Sequence, residues 1–204
     1  MIRIGLTGGI AAGKSAAAKI LHDLGARVFD ADAIVAELYR PGAAGSREVE
    51  RLFGSGMLDP GGAVSKASLA KLAFGDPDSR RRLEAAIHPL VIAEIRRRFA
   101  EAETAGAPAA VAEASQLLEG GYAGEFDRVL LVVAPRAVRL DRAERRGISR
   151  EDAERRMEAQ MPDAIARAKA DVVVDNAGTL EELRQELGEA YRRWTDARSP
   201  AGGA

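Results

Sequence analysis

Eight residues near the start of the chain, Gly8-Gly9-Ile10-Ala11-Ala12-Gly13-Lys14-Ser15, fit the spacing G-x-x-x-x-G-K-[ST]. Each residue type has a task in such a stretch. The glycines let successive backbone N–H groups turn toward one point and form an anion nest. A helix opening near Gly13 aims its unpaired N–H groups and positive dipole end at the same point. Lys14 can bring a point charge to the outer phosphates of a nucleotide, and the Ser15 hydroxyl can ligate Mg2+. A glycine turn that merely precedes a helix would share this spacing. Context separates the two: an apolar run, Ile2 to Leu6, comes before the loop, and helical spacing of apolar residues follows it. The expected ligand is therefore ATP with Mg2+.

Further chemistry-bearing residues lie downstream. Asp30 and Asp32 follow a short apolar pair, Val28-Phe29. A carboxylate here can take the proton from an attacking hydroxyl, or hold Mg2+ through water. Either aspartate can instead cap the helix that follows. Beside a phosphate loop the catalytic reading gains, and Asp32 is the candidate base. Glu113 ends an apolar run and suits a water-mediated Mg2+ ligand, with a solvated strand-end charge as the alternative. Arg142, Arg145 and Arg146 approach Gly147 on a helical stretch. Arginines so placed can stabilise charge spreading onto a transferred phosphoryl group. Arg142 and Arg145 are the candidates, against a solvated basic face. His88-Pro89 lies in a long helical segment, where a packing role competes with chemistry. Asn176 follows the last apolar run; its amide can read an adenine edge or serve a turn.

The elements that must position these residues alternate in type. Ile2 to Leu6, Val28-Phe29, Ala109 to Ala112, Val129 to Ala134 and Val172 to Val174 read as strands. Helical spacing covers 14–24, 33–39, about 65–74, 77–103 and the stretch after Pro135. Capping-box spacing at Ser149/Asp152 and Thr179/Glu182 opens two later helices. Residues 41–62 are rich in glycine. The alternation predicts an α/β fold: a parallel sheet flanked by helices, with ligands at the carboxyl ends of its strands. Residues 1–40 and 106–196 are expected to form the nucleotide-binding core, 41–105 a helical insert, and 197–204 a disordered tail.

The totals exclude several classes. Thirty basic residues face thirty-one acidic ones, for a net charge of −1, so overall charge gives no case for nucleic-acid binding. The chain has no cysteine, which removes disulfides and thiolate metal sites. No apolar run approaches the ~18 residues needed to span a membrane. A cytoplasmic location and a monomeric state are the expectations.

Ordered motifs make the chain resemble the dephospho-coenzyme A kinases from Ile4 to about Trp194. They are Leu6-Thr7-Gly8-Gly9-Ile10 with Gly13-Lys14-Ser15, Asp30-Ala31-Asp32, His88-Pro89-Leu90, Leu117-Leu118-Glu119, Ala159-Gln160-Met161, and Asp175-Asn176 with Gly178. The resemblance implies a P-loop kinase that moves the ATP γ-phosphate onto the ribose 3′-hydroxyl of dephospho-coenzyme A, the last step of coenzyme A synthesis. It implies an acceptor-binding insert at 41–105, an arginine-bearing lid at about 138–160, and Asp32 as base. The sequence departs from the usual pattern at Ala11, where glycine is common, and at Ala16, where threonine is common. Ala11 is tolerable if its φ stays negative. Ala16 lacks a hydroxyl for the α-phosphate but keeps its N–H. Glu113 stands for a common aspartate, and the stretch from Arg142 to Ser149 is one residue short, which leaves open which arginine meets the phosphate. The alternatives are another small-molecule P-loop kinase, such as a nucleoside monophosphate kinase, or a non-enzymatic nucleotide-binding switch.

Overall fold

A computed structural model describes residues 1–115, 117–118, 120 and 122–196. Gln116, Glu119 and the tail expected to be disordered at 197–204 lie outside the described residues. The chain divides into two compact units, Met1–Phe29 with the chain from Phe99 onward, and Asp30–Arg98. Both divisions fall earlier in the chain than the expected boundaries at 40/41 and 105/106.

The first unit is built on a parallel five-stranded sheet. Its strands are β1 (Ile2–Thr7), β2 (Arg27–Asp30), β3 (Ala109–Glu113), β4 (Arg128–Val133) and β5 (Val172–Asp175), in the order β2-β3-β1-β4-β5. Side chains of β4 alternate with the period of two that a sheet buried on both faces requires. Leu130 and Val132 enter one core with Ile4, Leu6 and Val111, under α1 (Lys14–Asp23) and α9 (Leu180–Asp196). Val129, Leu131 and Val133 enter the other, with Leu117, Leu118 and Ala166. The connections from β1 and β3 leave toward opposite edges of the sheet, so the carboxyl ends of these two strands form the crevice where such folds bind ligands. On the carboxyl side of β4 come α6 (Arg136–Arg145), α7 (Arg150–Glu158) and α8 (Asp163–Lys169). Of the two capping boxes expected from spacing, Thr179/Glu182 is complete, while at Ser149 only the N-cap half forms because the Asp152 carboxylate pairs with Arg155 and Arg156. Ser149 Oγ accepts from Asp152 N at 3.2 Å, and Thr179 and Glu182 exchange bonds of 2.7 and 3.2 Å.

The second unit is helical, with α2 (Ala31–Leu38), α3 (Ala44–Phe53), α4 (Lys66–Gly75) and the larger part of α5 (Pro77–Thr104). Two details differ from the sequence reading. The helix expected from residue 33 begins at Ala31, because Asp30 caps it with a 2.8 Å bond from Asp32 N to its Oδ1. The glycine-rich stretch 41–62 contains α3. Gly42 (φ 68°) and Gly54 (φ 87°) bracket that helix, and Gly45 lies buried inside it. Pro89 lies inside α5, within the long helical segment read from the sequence.

Candidate active site

The chain leaves β1 at Thr7 and re-enters regular structure at Lys14, the first residue of α1. Gly8 (φ 154°) and Gly13 (φ 108°, the N-cap of α1) adopt positive φ, and each is also closely approached. A Cβ at Gly8 would collide with the Val132 carbonyl, and one at Gly13 with Asn176 Nδ2. The N-terminus of α1 has no side-chain cap and no acidic residue in its first turn. By contrast α2, α7, α8 and α9 each carry Asp or Glu in the first turn; α3 and α6 share the uncapped, acid-free start, but neither follows a glycine loop with a lysine folded over it. An anion placed at this terminus would meet the dipole of α1. Lys14 Nζ donates to Gly8 O at 2.8 Å, folding its ammonium over the loop.

Ala11 does not keep the negative φ expected of it. It sits at φ 55° and is the non-glycine residue with positive φ among those described. The left-handed conformation costs a residue with a Cβ about 1–2 kcal/mol. Its methyl is buried with Leu140, Ala143 and Ala153, and burying one such group returns about 0.8 kcal/mol. Packing therefore offsets much of the strain, and hydrogen bonds on both sides of Ala11 hold the loop. Ile10 N donates to Gln160 Oε1 at 2.9 Å, and Arg139 Nε donates to Ile10 O at 2.9 Å. On the far side Asn176 Nδ2 donates to Ala12 O at 2.8 Å, with Arg142 Nη1 at 3.4 Å from the same oxygen.

These contacts locate the residues read from sequence. Arg142 reaches the loop backbone; Arg145, in the last turn of α6, is exposed. The Asn176 amide nitrogen, considered for adenine or for a turn, is spent on Ala12 O. The Ala16 N–H, expected to remain for the α-phosphate, donates to Gly13 O at 3.1 Å. Ser15 is exposed in the first turn of α1. Glu113 ends β3 in register with Leu6, at the carboxyl edge where β1 gives way to the loop. Among the described residues no group of three or more His, Asp or Glu forms a metal cage. One hydroxyl and one carboxylate suit Mg2+, which keeps several waters and is held largely by substrate phosphates. In the second unit the structure separates the two aspartates: Asp30 caps α2, while Asp32 N, not its carboxylate, makes that capping bond.

Sequence reasoning missed Arg139. It is only 6% exposed, an unusual state for an arginine, yet its sequence neighbourhood gave no sign of this. Its position three residues before Arg142 on the same helix is the signal that was available, since residues three apart share a helix face.

Comparison with known proteins agrees with this geometry. A family model described as "Dephospho-CoA kinase" matches residues 2–182. A dephospho-CoA kinase of Geobacter sulfurreducens is 42% identical over 193 residues, covering 93% of this chain and 97% of that one. A crystal structure from Thermus thermophilus superposes with a TM-score of 0.77 at 36% identity, covering 94% of this chain and 97% of its own. A dephospho-CoA kinase from Campylobacter jejuni shares the fold, with a TM-score of 0.62 at 22% identity and coverage of 95% and 97%. A phosphate loop at the switch point of a parallel sheet, with a match over nearly the whole chain, leads to one conclusion: this protein belongs to the dephospho-CoA kinase family.

Proposed function

We propose that this chain transfers the γ-phosphate of ATP to the ribose 3′-hydroxyl of dephospho-coenzyme A, giving coenzyme A and ADP, with its own residues in the following roles. The 3′-oxygen attacks the γ-phosphorus in line. The bond from that phosphorus to the β,γ-bridging oxygen breaks, ADP leaves with the bond's electron pair, and the hydroxyl proton passes to the Asp32 carboxylate. Lys14 exchanges its Gly8 carbonyl for the outer phosphates. Arg142 adds positive charge, and Arg145 is the second candidate for that task. The loop backbone from Gly8 to Gly13 and the first turn of α1 receive the phosphates. Mg2+, with Ser15 as a direct ligand and Glu113 behind a water, would neutralise charge on the β- and γ-phosphates. Residues of the helical unit are assigned to the acceptor.

One observation carries the reading: the uncapped, acid-free start of α1 behind a glycine loop whose lysine lies over it. The family match across residues 2–182 favours this acceptor over a nucleoside monophosphate and over a non-catalytic switch. The test is ADP release with and without dephospho-coenzyme A, in wild type and in Asp32→Asn and Asp30→Asn. Asp32→Asn is expected to lower kcat by about 10²–10⁴-fold. Asp30→Asn should retain activity, because asparagine caps a helix as well as aspartate. Equal rates for wild type and Asp32→Asn would remove Asp32 from the mechanism. ADP release indifferent to the acceptor would remove the proposed substrate.

A further inference from the structure

Ile10 is gripped at both of its backbone polar atoms, in the peptides on its two sides, by side chains from outside the loop. Its N–H donates to Gln160 Oε1 at 2.9 Å, and its carbonyl accepts from Arg139 Nε at 2.9 Å. The two gripping side chains are joined, Arg139 Nη2 donating to Gln160 Oε1 at 3.2 Å. Arg139 Nη1 lies 3.3 Å from Asp163 Oδ1, which balances its charge. Three residues, Ile10, Gln160 and Arg139, thus close a hydrogen-bonded ring, with Asp163 outside it on the arginine. The loop is shaped to admit the ring: a Cβ at Gly9 would collide with the Arg139 guanidinium. The residue following this peptide is Ala11, held in the left-handed conformation that a residue with a Cβ resists.

We propose that Arg139 and Gln160 are positioning residues for phosphoryl transfer, acting as a clamp that holds the phosphate loop in its anion-binding shape. The clamp fixes the peptides on both sides of Ile10, so the chain enters the strained residue along one path, and Ala12 N turns back onto Gly9 O at 3.2 Å. A glycine at 11 would reach that shape without help; alanine depends on the clamp. Planarity matters, because Arg139 uses Nε and Nη2 together, on Ile10 O and Gln160 Oε1, and an ammonium cannot reproduce that fork. Gln160 and Asp163 follow α7 and open α8, so the clamp also ties the placement of that segment to the loop. The inference rests on the reading that the loop binds ATP.

The experiment pairs calorimetric binding of a non-hydrolysable ATP analogue with both KM values and the melting temperature. The variants are Arg139→Met, Arg139→Lys, Gln160→Met and Gln160→Glu, the first also combined with Ala11→Gly. Arg139→Met and Gln160→Met are expected to weaken analogue binding and raise the KM for ATP by about 10- to 100-fold, with the KM for dephospho-coenzyme A little changed. Lysine should not rescue position 139. Glutamate at 160 keeps the acceptor oxygen and should stay near wild type. Adding Ala11→Gly to Arg139→Met should restore part of the lost ATP affinity, because the clamp then has less strain to hold. Should Arg139→Met fail to fold, the two Gln160 variants carry the test, since that side chain is only half-buried. Equal rises in both KM values, a lower melting temperature with unchanged binding, or strictly additive effects of Arg139→Met and Ala11→Gly would overturn the clamp. A wild-type protein that binds no analogue would instead overturn the nucleotide reading.

Discussion

The phosphate role proposed for Lys14 starts from a charge already folded over the loop. Its ammonium donates to Gly8 O at 2.8 Å, a bond that an arriving phosphate oxygen can replace at little net cost. Lys14→Ala is therefore expected to leave the fold and melting temperature close to wild type and to lower kcat by about 10²–10³-fold, the usual effect of removing one donor aimed at developing charge. Turnover at the wild-type rate in a folded Lys14→Ala protein would contradict a phosphate role for the loop. Much of the site at this scale was legible in the sequence. Gly8, Gly13, Lys14 and Ser15 stand at fixed offsets, and each offset has a local backbone reason. The parts not legible depend on partners distant in sequence. Asn176 meets Ala12, and Arg139 meets Ile10, through bonds between residues 164 and 129 positions apart. The φ of Ala11 was misjudged for the same reason. Local sterics argue against a left-handed alanine, and the contacts that outweigh them come from α6, α7 and the segment after β5.

Among the helices, α5 carries a charge network that links one element to another within the helical unit. Glu94 accepts from Arg97 at 2.6 and 2.8 Å and from Arg98 at 2.9 Å, while Arg98 also pairs with Glu37 of α2. The Arg97 hydrogen bonds, with help from Arg98 and against partial burial, hold the Glu94 carboxyl down to about 2 from its ordinary 4.5. The folded value lies below the unfolded one. The contribution to stability is thus complete above about pH 4.5 and is lost as pH falls toward about 2. Glu94→Gln should melt below wild type near neutral pH, and the gap should close across that acid window. A gap that stays constant with pH would show that Glu94 acts by packing and not by charge. Elements were easier to foresee where a cap announced them, as Ser149 and Thr179 do, than where tertiary packing supplies the support. The helix α3 was hidden because its flanking Gly42 and Gly54 lower the apparent helical propensity of 41–62, while Val49, fully buried, anchors it. The start of α2 was set two residues late because Asp30 and Asp32 had equal claims to the cap; one hydrogen bond decides between them.

At the scale of the whole molecule the residues proposed for the two substrates fall in different units. The phosphate loop, Arg139, Arg142, Gln160 and Asn176 belong to the sheet-containing unit, and Asp32 and His88 belong to the helical unit. Among the described residues no helix is long and apolar enough to cross a membrane. A ligand slows exchange of amides whose opening it opposes, by up to about 100-fold at a concentration 100 times its Kd. Hydrogen exchange can therefore map each substrate separately. A non-hydrolysable ATP analogue is expected to slow exchange chiefly over residues 8–16, and dephospho-coenzyme A chiefly over 30–98. His88→Ala should weaken the second pattern and leave the first intact, raising the KM for dephospho-coenzyme A without raising that for ATP. If His88 serves packing alone, the variant will melt earlier while both patterns and both KM values persist. Protection by dephospho-coenzyme A confined to the sheet-containing unit would deny the helical unit its acceptor role, whatever the outcome at His88.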